Sequence, residues 1–320
     1  MKFAIFGAGG VGGYFGAKLA AAGNEVHFIA RGAHLDAIKK NGLKVLSGGG
    51  DVTVKPARAT SDPATIGPVD CVLNCVKLWD LDKSAADCKS LVAGGGYVLP
   101  LQNGVDAVKR CTAALGADKV IGGTAHVATV ISAPGVITHT GAMAKLQFGE
   151  IDGLISPRVQ TLAKICKDAG IDAAVPDSIL TAQWMKFVFL ATAAGWTSLT
   201  RRPMGALRAD PDIRLGVARA FAEAVALGRA AGVKLPSDAE QQAMAILDRV
   251  PAEMRTSMQH DLDSGNRLEL PWLSGAVSAM GRELKVPTPT HDTIYAGLKP
   301  YAEGQRGQGI PPVANSDHSD

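Results

Sequence analysis

Residues 6–16 read FGAGGVGGYFG. No other stretch constrains the fold as strongly. It follows a β-rich apolar run, FAIFG at 3–7, and leads into a helical pattern, GYFGAKLAAAG at 13–23. Gly7, Gly9 and Gly12 have the spacing Gly-x-Gly-x-x-Gly. In a strand–turn–helix context the first glycine makes the tight turn. The second lets a pyrophosphate approach the backbone, and the third lets helix and strand pack closely. The helix N-terminus then offers free N–H groups and positive potential to phosphate. A merely tight turn is the bland alternative. The context favours a dinucleotide site, with Gly7, Gly9, Gly10, Val11 and Gly12 as the candidate cofactor contacts.

The alternation continues downstream. EVHFIA (25–30) reads as a strand and HLDAIKKNG (34–42) as a helix ending at Gly42. LKVLSGGGDVTVKP (43–56) reads as a hairpin around glycines. CVLNCVK (71–77) and GYVLPLQNG (96–104) are further strands, each followed by a helix. Repeated βαβ units imply a parallel sheet with helices on its faces. The alternating stretch 122–150, turning at Ala133, Pro134 and Gly135, is expected to extend that sheet. Beyond about 155 the pattern turns helical, with helices expected near 156–169, 178–195, 210–232, 236–249, 270–284 and 290–301. Asp210-Pro211 is an N-cap followed by proline, and Ser237 with Glu240 has capping-box spacing. The expected fold is α/β: an N-terminal Rossmann-type doubly wound sheet and an all-helical C-terminal domain. The expected domains are 1–175 for dinucleotide binding and 176–303 for substrate and catalysis. The Gly/Pro/Ser-rich tail 304–320 is expected to be disordered.

With 320 residues the chain is long enough for two cores. Its net charge of +3, without a basic block, gives no footprint for nucleic acid or a membrane surface. No uncharged apolar run is long enough to span a bilayer, and no signal peptide is expected. The five cysteines form no Cys-x-x-Cys pair, and the seven histidines form no metal-type pair. No metal site is expected, and reduced thiols fit a cytoplasmic protein. His126 and His139 read as structural.

A site for NADH usually carries an acid at the end of the second strand, where it bonds the ribose 2′-hydroxyl. No acid stands at 29–33, and Arg31 does. Arg31 can neutralise a 2′-phosphate, so the expected cofactor is NADPH.

Lys186 poses a separate question. It is the lone charge in WMKFVFLATAAGW, residues 184–196. Its stem can snorkel to a surface, its charge can pair with a buried acid, or its amine can handle a proton in a reaction. Hydride addition to a ketone builds negative charge on oxygen, which a nearby ammonium stabilises and can protonate.

NCVK (74–77), LQNGV (101–105), GVITHTG (135–141), WMKF (184–187) and SMQHDLDSGNRLELPWLSG (257–275) follow the glycine loop in order. In this the chain resembles the ketopantoate reductases (2-dehydropantoate 2-reductases) over nearly all of residues 1–300. The resemblance implies an NADPH-dependent reduction of a small 2-oxo acid, ketopantoate to pantoate, for pantothenate synthesis. It implies that Lys186 is the catalytic lysine and that Glu269 is the acid orienting lysine and substrate. It implies that Asn103 lies near nicotinamide and substrate and that Ser257 bonds the substrate. It puts Arg31 and Lys77 at the adenosine end of the cofactor. A homodimer is an open option.

One departure concerns the substrate. The family usually carries asparagines four and eight residues after the lysine, where this chain has Leu190 and Ala194. Both fall on the Lys186 stripe of a helix. Their replacement removes polar anchors for a hydroxyl group. A less polar 2-oxo acid or ketone, a hydroxy acid oxidised in the reverse direction, and a non-catalytic NADPH sensor are the alternatives.

Overall fold

A computed structural model describes residues 1–304. The tail expected to be disordered lies, from residue 305, outside the described residues. Packing groups the chain into two units, Met1–Lys186 and Phe187–Asp320.

The first unit holds β1 (Lys2–Phe6), α1 (Gly10–Ala21), β2 (Glu25–Ile29), α2 (Gly32–Asn41), β3 (Leu43–Ser47), β4 (Val52–Val54) and β5 (Arg58–Thr60). There follow β6 (Cys71–Asn74), α3 (Leu81–Leu91), β7 (Tyr97–Pro100), α4 (Ala107–Leu115), β8 (Gly122–Ala133), β9 (Val136–Gly149), α5 (Pro157–Asp168) and β10 (Asp172–Ala174). Five strands form an all-parallel sheet in the order β5-β2-β1-β6-β7. Successive strand residues face opposite sides. Thus Phe3 and Ile5 enter one core with Tyr14 and Phe15 of α1. Ala4 and Phe6 enter another with Cys88 and Leu91 of α3. A sheet covered on both faces explains why FAIF is apolar throughout.

The stretch 122–150 does form strands, but it does not extend this sheet. Just ahead of it, Val120 makes an isolated bridge with Val98 of β7. β8 and β9 pair antiparallel, and β9 joins β3 and β10 in a second sheet of order β10-β9-β3-β4. The expected hairpin of β3 and β4 forms, yet its outer partner is β9. α1 packs on β1 and β2 of the first sheet and on β3, β4, β8 and β9 of the second. This position accounts for its small residues. A Cβ on Gly16 would lie 2.7 Å from Ile5 and Phe28, and one on Gly13 would lie 2.8 Å from Ile137.

The long helix α6 (Ile179–Thr200) runs from the first unit into the second. The second unit adds α7 (Met204–Ala209), α8 (Pro211–Ala230), α9 (Ala239–Arg249), α10 (Ser257–Asp263), α11 (Ser274–Leu284) and α12 (Pro289–Leu298). α8 packs against α7, α9, α11 and α12. Asp210 caps it as expected, accepting from the N–H groups of Asp212 at 2.9 Å and Ile213 at 3.0 Å. The expected capping box at Ser237 does not form; Asp238 holds the N-cap of α9 without a side-chain bond. From α8, Glu223 caps the start of α12, accepting from Thr290 N at 2.8 Å and His291 N at 3.0 Å. α7 and α10 are one or two turns long and escape a periodicity reading.

Candidate active site

The order of the parallel sheet reverses at β1, which lies between β2 and β6. In such sheets the crevice at the carboxyl ends of the strands, at the reversal, is where ligands bind. The glycine turn stands there. Gly7 N and Ala8 N donate to Ile29 O at 3.1 and 2.9 Å, and Cys75 N donates to Phe6 O at 2.7 Å. Gly7 has φ +91°, and a Cβ there would lie 3.0 Å from Val76 N. A Cβ on Gly12 would overlap the Gly7 carbonyl oxygen. Gly9 faces open space, with no atom within 4 Å of where its Cβ would be.

Gly10 abuts Thr129 of β8, whose hydroxyl is shielded from solvent and has no hydrogen-bond partner among the described residues. The first turn of α1 carries no acidic residue, and no side chain caps it. His34 ties the loop to the β8–β9 turn. Its Nε2 donates to Ala8 O at 2.8 Å, and its Nδ1 accepts from Gly135 N at 3.0 Å. An open glycine face, an uncompensated helix start and a partnerless hydroxyl beside it fit a pyrophosphate. The residues present can hold a dinucleotide.

Arg31 occupies the N-cap position of α2, just past β2, and is exposed. Its Nη2 donates to Asp80 Oδ2 at 2.6 Å. Lys77, also exposed, places its Nζ 5.7 Å from the Trp79 ring centre. Arg31, Lys77 and Asp80 therefore cluster at the ends of the two strands flanking β1. Asp80 escaped the sequence reading, because nothing in its local pattern announces an arginine partner from another strand end.

Lys186 is half-buried on α6. Its ammonium donates to Asn103 Oδ1 at 3.1 Å and to Ala125 O at 2.7 Å. Two residues singled out from the sequence are thus brought together, joined by a backbone carbonyl of β8. Asn103 sits in the loop after β7, and its neighbour Gln102 braces that loop. Gln102 Nε2 donates to Asn74 O at 3.0 Å, Asn74 Oδ1 at 3.1 Å and Val76 O at 3.2 Å. The same loop that follows β7 is thereby tied to the end of β6, beside the glycine turn. Neither Gln102 nor the Ala125 carbonyl was read from the sequence. The first is hidden inside the Gln-Asn-Gly motif, and the second has no residue signature.

His126, next along β8, points to the opposite face from Ala125. There it lines an open cavity of about 480 Å³ with Tyr14, Lys145, Gln147 and Asp172. Burial, then the charges of Lys186 and Lys145, push its pKa down to about 4. It is neutral at pH 7. His139 is buried, bonded to Ser47 Oγ at 2.9 Å and Met143 O at 3.1 Å.

In the second unit Ser257 is exposed at the first position of α10. The cap of that helix is Thr256, whose Oγ1 accepts from Gln259 N at 3.2 Å and bonds Thr197 Oγ1 at 2.8 Å. Glu269 is buried between the fully buried Leu268 and Leu270, at the start of a 3₁₀ turn over Leu270–Trp272. Leu190 is half-buried and Ala194 buried on α6. Arg201, with φ 56°, ends that helix in the left-handed region, and its Nη1 donates to Asp263 Oδ1 at 3.2 Å. Among the described residues no group of His, Cys, Asp and Glu can hold a metal ion. No helix among them is long and apolar enough to cross a membrane. Burial raises the thiol pKa of Cys75 to about 12 and that of Cys166 to about 12, so neither is a ready nucleophile.

Comparison with known proteins agrees with this fold. The family described as Ketopantoate reductase PanE/ApbA matches residues 3–153, and its C-terminal counterpart matches residues 178–302. A 2-dehydropantoate 2-reductase of Mesorhizobium japonicum is 32% identical over 323 aligned residues, covering 94% of this chain and 98% of its own. The crystal structure of a PanE/ApbA family ketopantoate reductase from Ralstonia eutropha JMP134 superposes with a TM-score of 0.86 at 32% identity. That match covers 94% of this chain and 98% of the other. A D-mandelate dehydrogenase solved with NADH and anilino(oxo)acetate shares the fold, with a TM-score of 0.85 at 23% identity over 94% of this chain and 98% of its own. The chain is a member of the ketopantoate reductase family, and so an oxidoreductase acting on CH–OH groups.

Proposed function

We propose that the protein is an NADPH-dependent reductase of a 2-oxo acid, with 2-dehydropantoate as the first candidate substrate. The supporting observation is the Lys186 ammonium, held by Asn103 and the Ala125 carbonyl in the same unit as the glycine turn. Both acceptors are neutral. They orient the ammonium, and an ammonium so placed stabilises an incoming oxyanion. NADPH, when bound, supplies a hydride to the ketone carbon. Lys186 stabilises the negative charge growing on the ketone oxygen and donates its proton there, completing the hydroxyl. Asn103 holds the lysine side chain in place. Arg31 and Lys77 are assigned to the adenosine end of the cofactor.

In this reading residues 1–175 bind the dinucleotide and 176–303 carry substrate contacts. Ser257 bonds the substrate carboxylate, and Glu269 orients lysine and substrate. Five free cysteines suit a reducing cytoplasm.

A second reading is favoured by Leu190 and Ala194. Both lie on the Lys186 stripe of α6 and offer no hydrogen bond to a substrate hydroxyl. The enzyme then prefers a less polar 2-oxo acid. NADPH oxidation followed with ketopantoate, aliphatic 2-oxo acids and aryl 2-oxo acids separates the two. Fastest turnover with ketopantoate supports the first, and fastest turnover with an apolar analogue supports the second. No turnover with any of them refutes both.

A further inference from the structure

We infer that Asp80 sets the choice between NADPH and NADH by holding the guanidinium of Arg31. The inference rests on the dinucleotide reading of the glycine turn.

Arg31 follows β2 and Asp80 follows β6, the two strands on either side of β1. Their ion pair, at 2.6 Å, therefore spans the carboxyl end of β1. In a sheet of this kind the adenosine ribose lies beside the end of the strand after the glycine helix, which is β2. Asp80 stands at the N-cap position of α3, where an aspartate ordinarily bonds its own helix. Here its side chain makes no such bond. It turns to Arg31 instead.

The pair has opposite effects on the two cofactors. A 2′-phosphate needs the arginine fork, and Asp80 already occupies Nη2. It also brings a second negative charge close to the phosphate. In water, repulsion between a unit charge and a doubly charged phosphate about 5 Å away weakens binding on the order of tenfold, less in salt. A ribose 2′-hydroxyl is a donor, and the carboxylate can accept from it. Asp80 thus supplies, from the end of β6, the acid that is absent from the end of β2. Arg31 alone selects for NADPH, and Asp80 reduces that selection and admits NADH.

The test is the dissociation constant of NADPH and of NADH, measured by calorimetry on the full chain, for wild type, Asp80→Asn and Arg31→Gln. The expected result is that Asp80→Asn raises the preference for NADPH over NADH about tenfold, chiefly by tightening NADPH. Arg31→Gln lowers that preference. The increase should shrink as salt is added. A preference within twofold of wild type in Asp80→Asn overturns the inference while leaving the dinucleotide site intact. Failure of wild type to bind either cofactor overturns the dinucleotide reading itself. Should Asp80→Asn fold poorly, Asp80→Ser provides the same comparison.

Discussion

Lys186 Nζ lies 3.1 Å from Asn103 Oδ1, so a helix residue and a loop residue 83 positions apart in the chain share a hydrogen bond. The amide fixes where the ammonium points. If that orientation matters for catalysis, Asn103→Ala lowers kcat about 10- to 100-fold, since misplacing a catalytic group by about 1 Å costs that much. Binding of the reduced cofactor should change far less. Steady-state kinetics alongside direct cofactor titration check this, and an unchanged kcat removes Asn103 from the positioning role.

Gly12 is a second point of control. A methyl group there would overlap the Gly7 carbonyl oxygen and press on Ile5. Gly12→Ala therefore forces α1 away from β1. Overpacking of this kind costs about 1–3 kcal/mol, and it also distorts the turn meant for pyrophosphate. The expected outcome is a lowered melting temperature together with at least tenfold weaker dinucleotide binding. Wild-type affinity in this variant contradicts the role of the turn.

His126 links stability to pH. Its folded pKa is lowered to about 4, chiefly by burial, against an unfolded value near 6.5. Below 6.5 the unfolded chain binds the proton and the folded chain does not. Stability is full above 6.5 and is lost as pH falls towards 4, by about 2–3 kcal/mol for this group. The buried His291, its pKa also lowered by burial, acts in the same direction. Urea melts at pH 7 and pH 4.5 should therefore show a smaller pH difference for His126→Gln than for wild type. An identical difference contradicts the account.

Glu223 joins α8 to the start of α12 through two backbone N–H groups. Glu223→Ala leaves those donors without their carboxylate, and the expected loss is about 1–2 kcal/mol. Glu223→Gln keeps one acceptor and should lose less. Denaturant midpoints for the two variants decide it, and equal midpoints to wild type refute the cap.

Much of this architecture was legible in local pattern, and the exceptions share a cause. Apolar runs such as FAIF mark buried strands, and Asp210-Pro211 marks a helix start, because both signals are local. The stretch 122–150 showed its strands but not its sheet. β9 chooses β3, about ninety residues earlier, and local alternation carries no partner information. β5 and β10 have three residues each, too short for any period to appear. The candidate site divides in the same way. Lys186 stands out as a lone charge in an apolar run, whereas Asn103 sits in an ordinary turn pair and is singled out only by the family resemblance. Asp80 matters only because Arg31 meets it from another strand end, and Ala125 only through its carbonyl.

The central claim is that the Lys186 ammonium protonates the oxygen of a reduced 2-oxo acid. Its most direct test is single-turnover oxidation of NADPH by wild type and Lys186→Ala, each saturated with cofactor, across the same set of 2-oxo acids. The account predicts a rate at least 100-fold lower in the variant, with NADPH affinity within a few-fold of wild type. Equal single-turnover rates in the two proteins would contradict it.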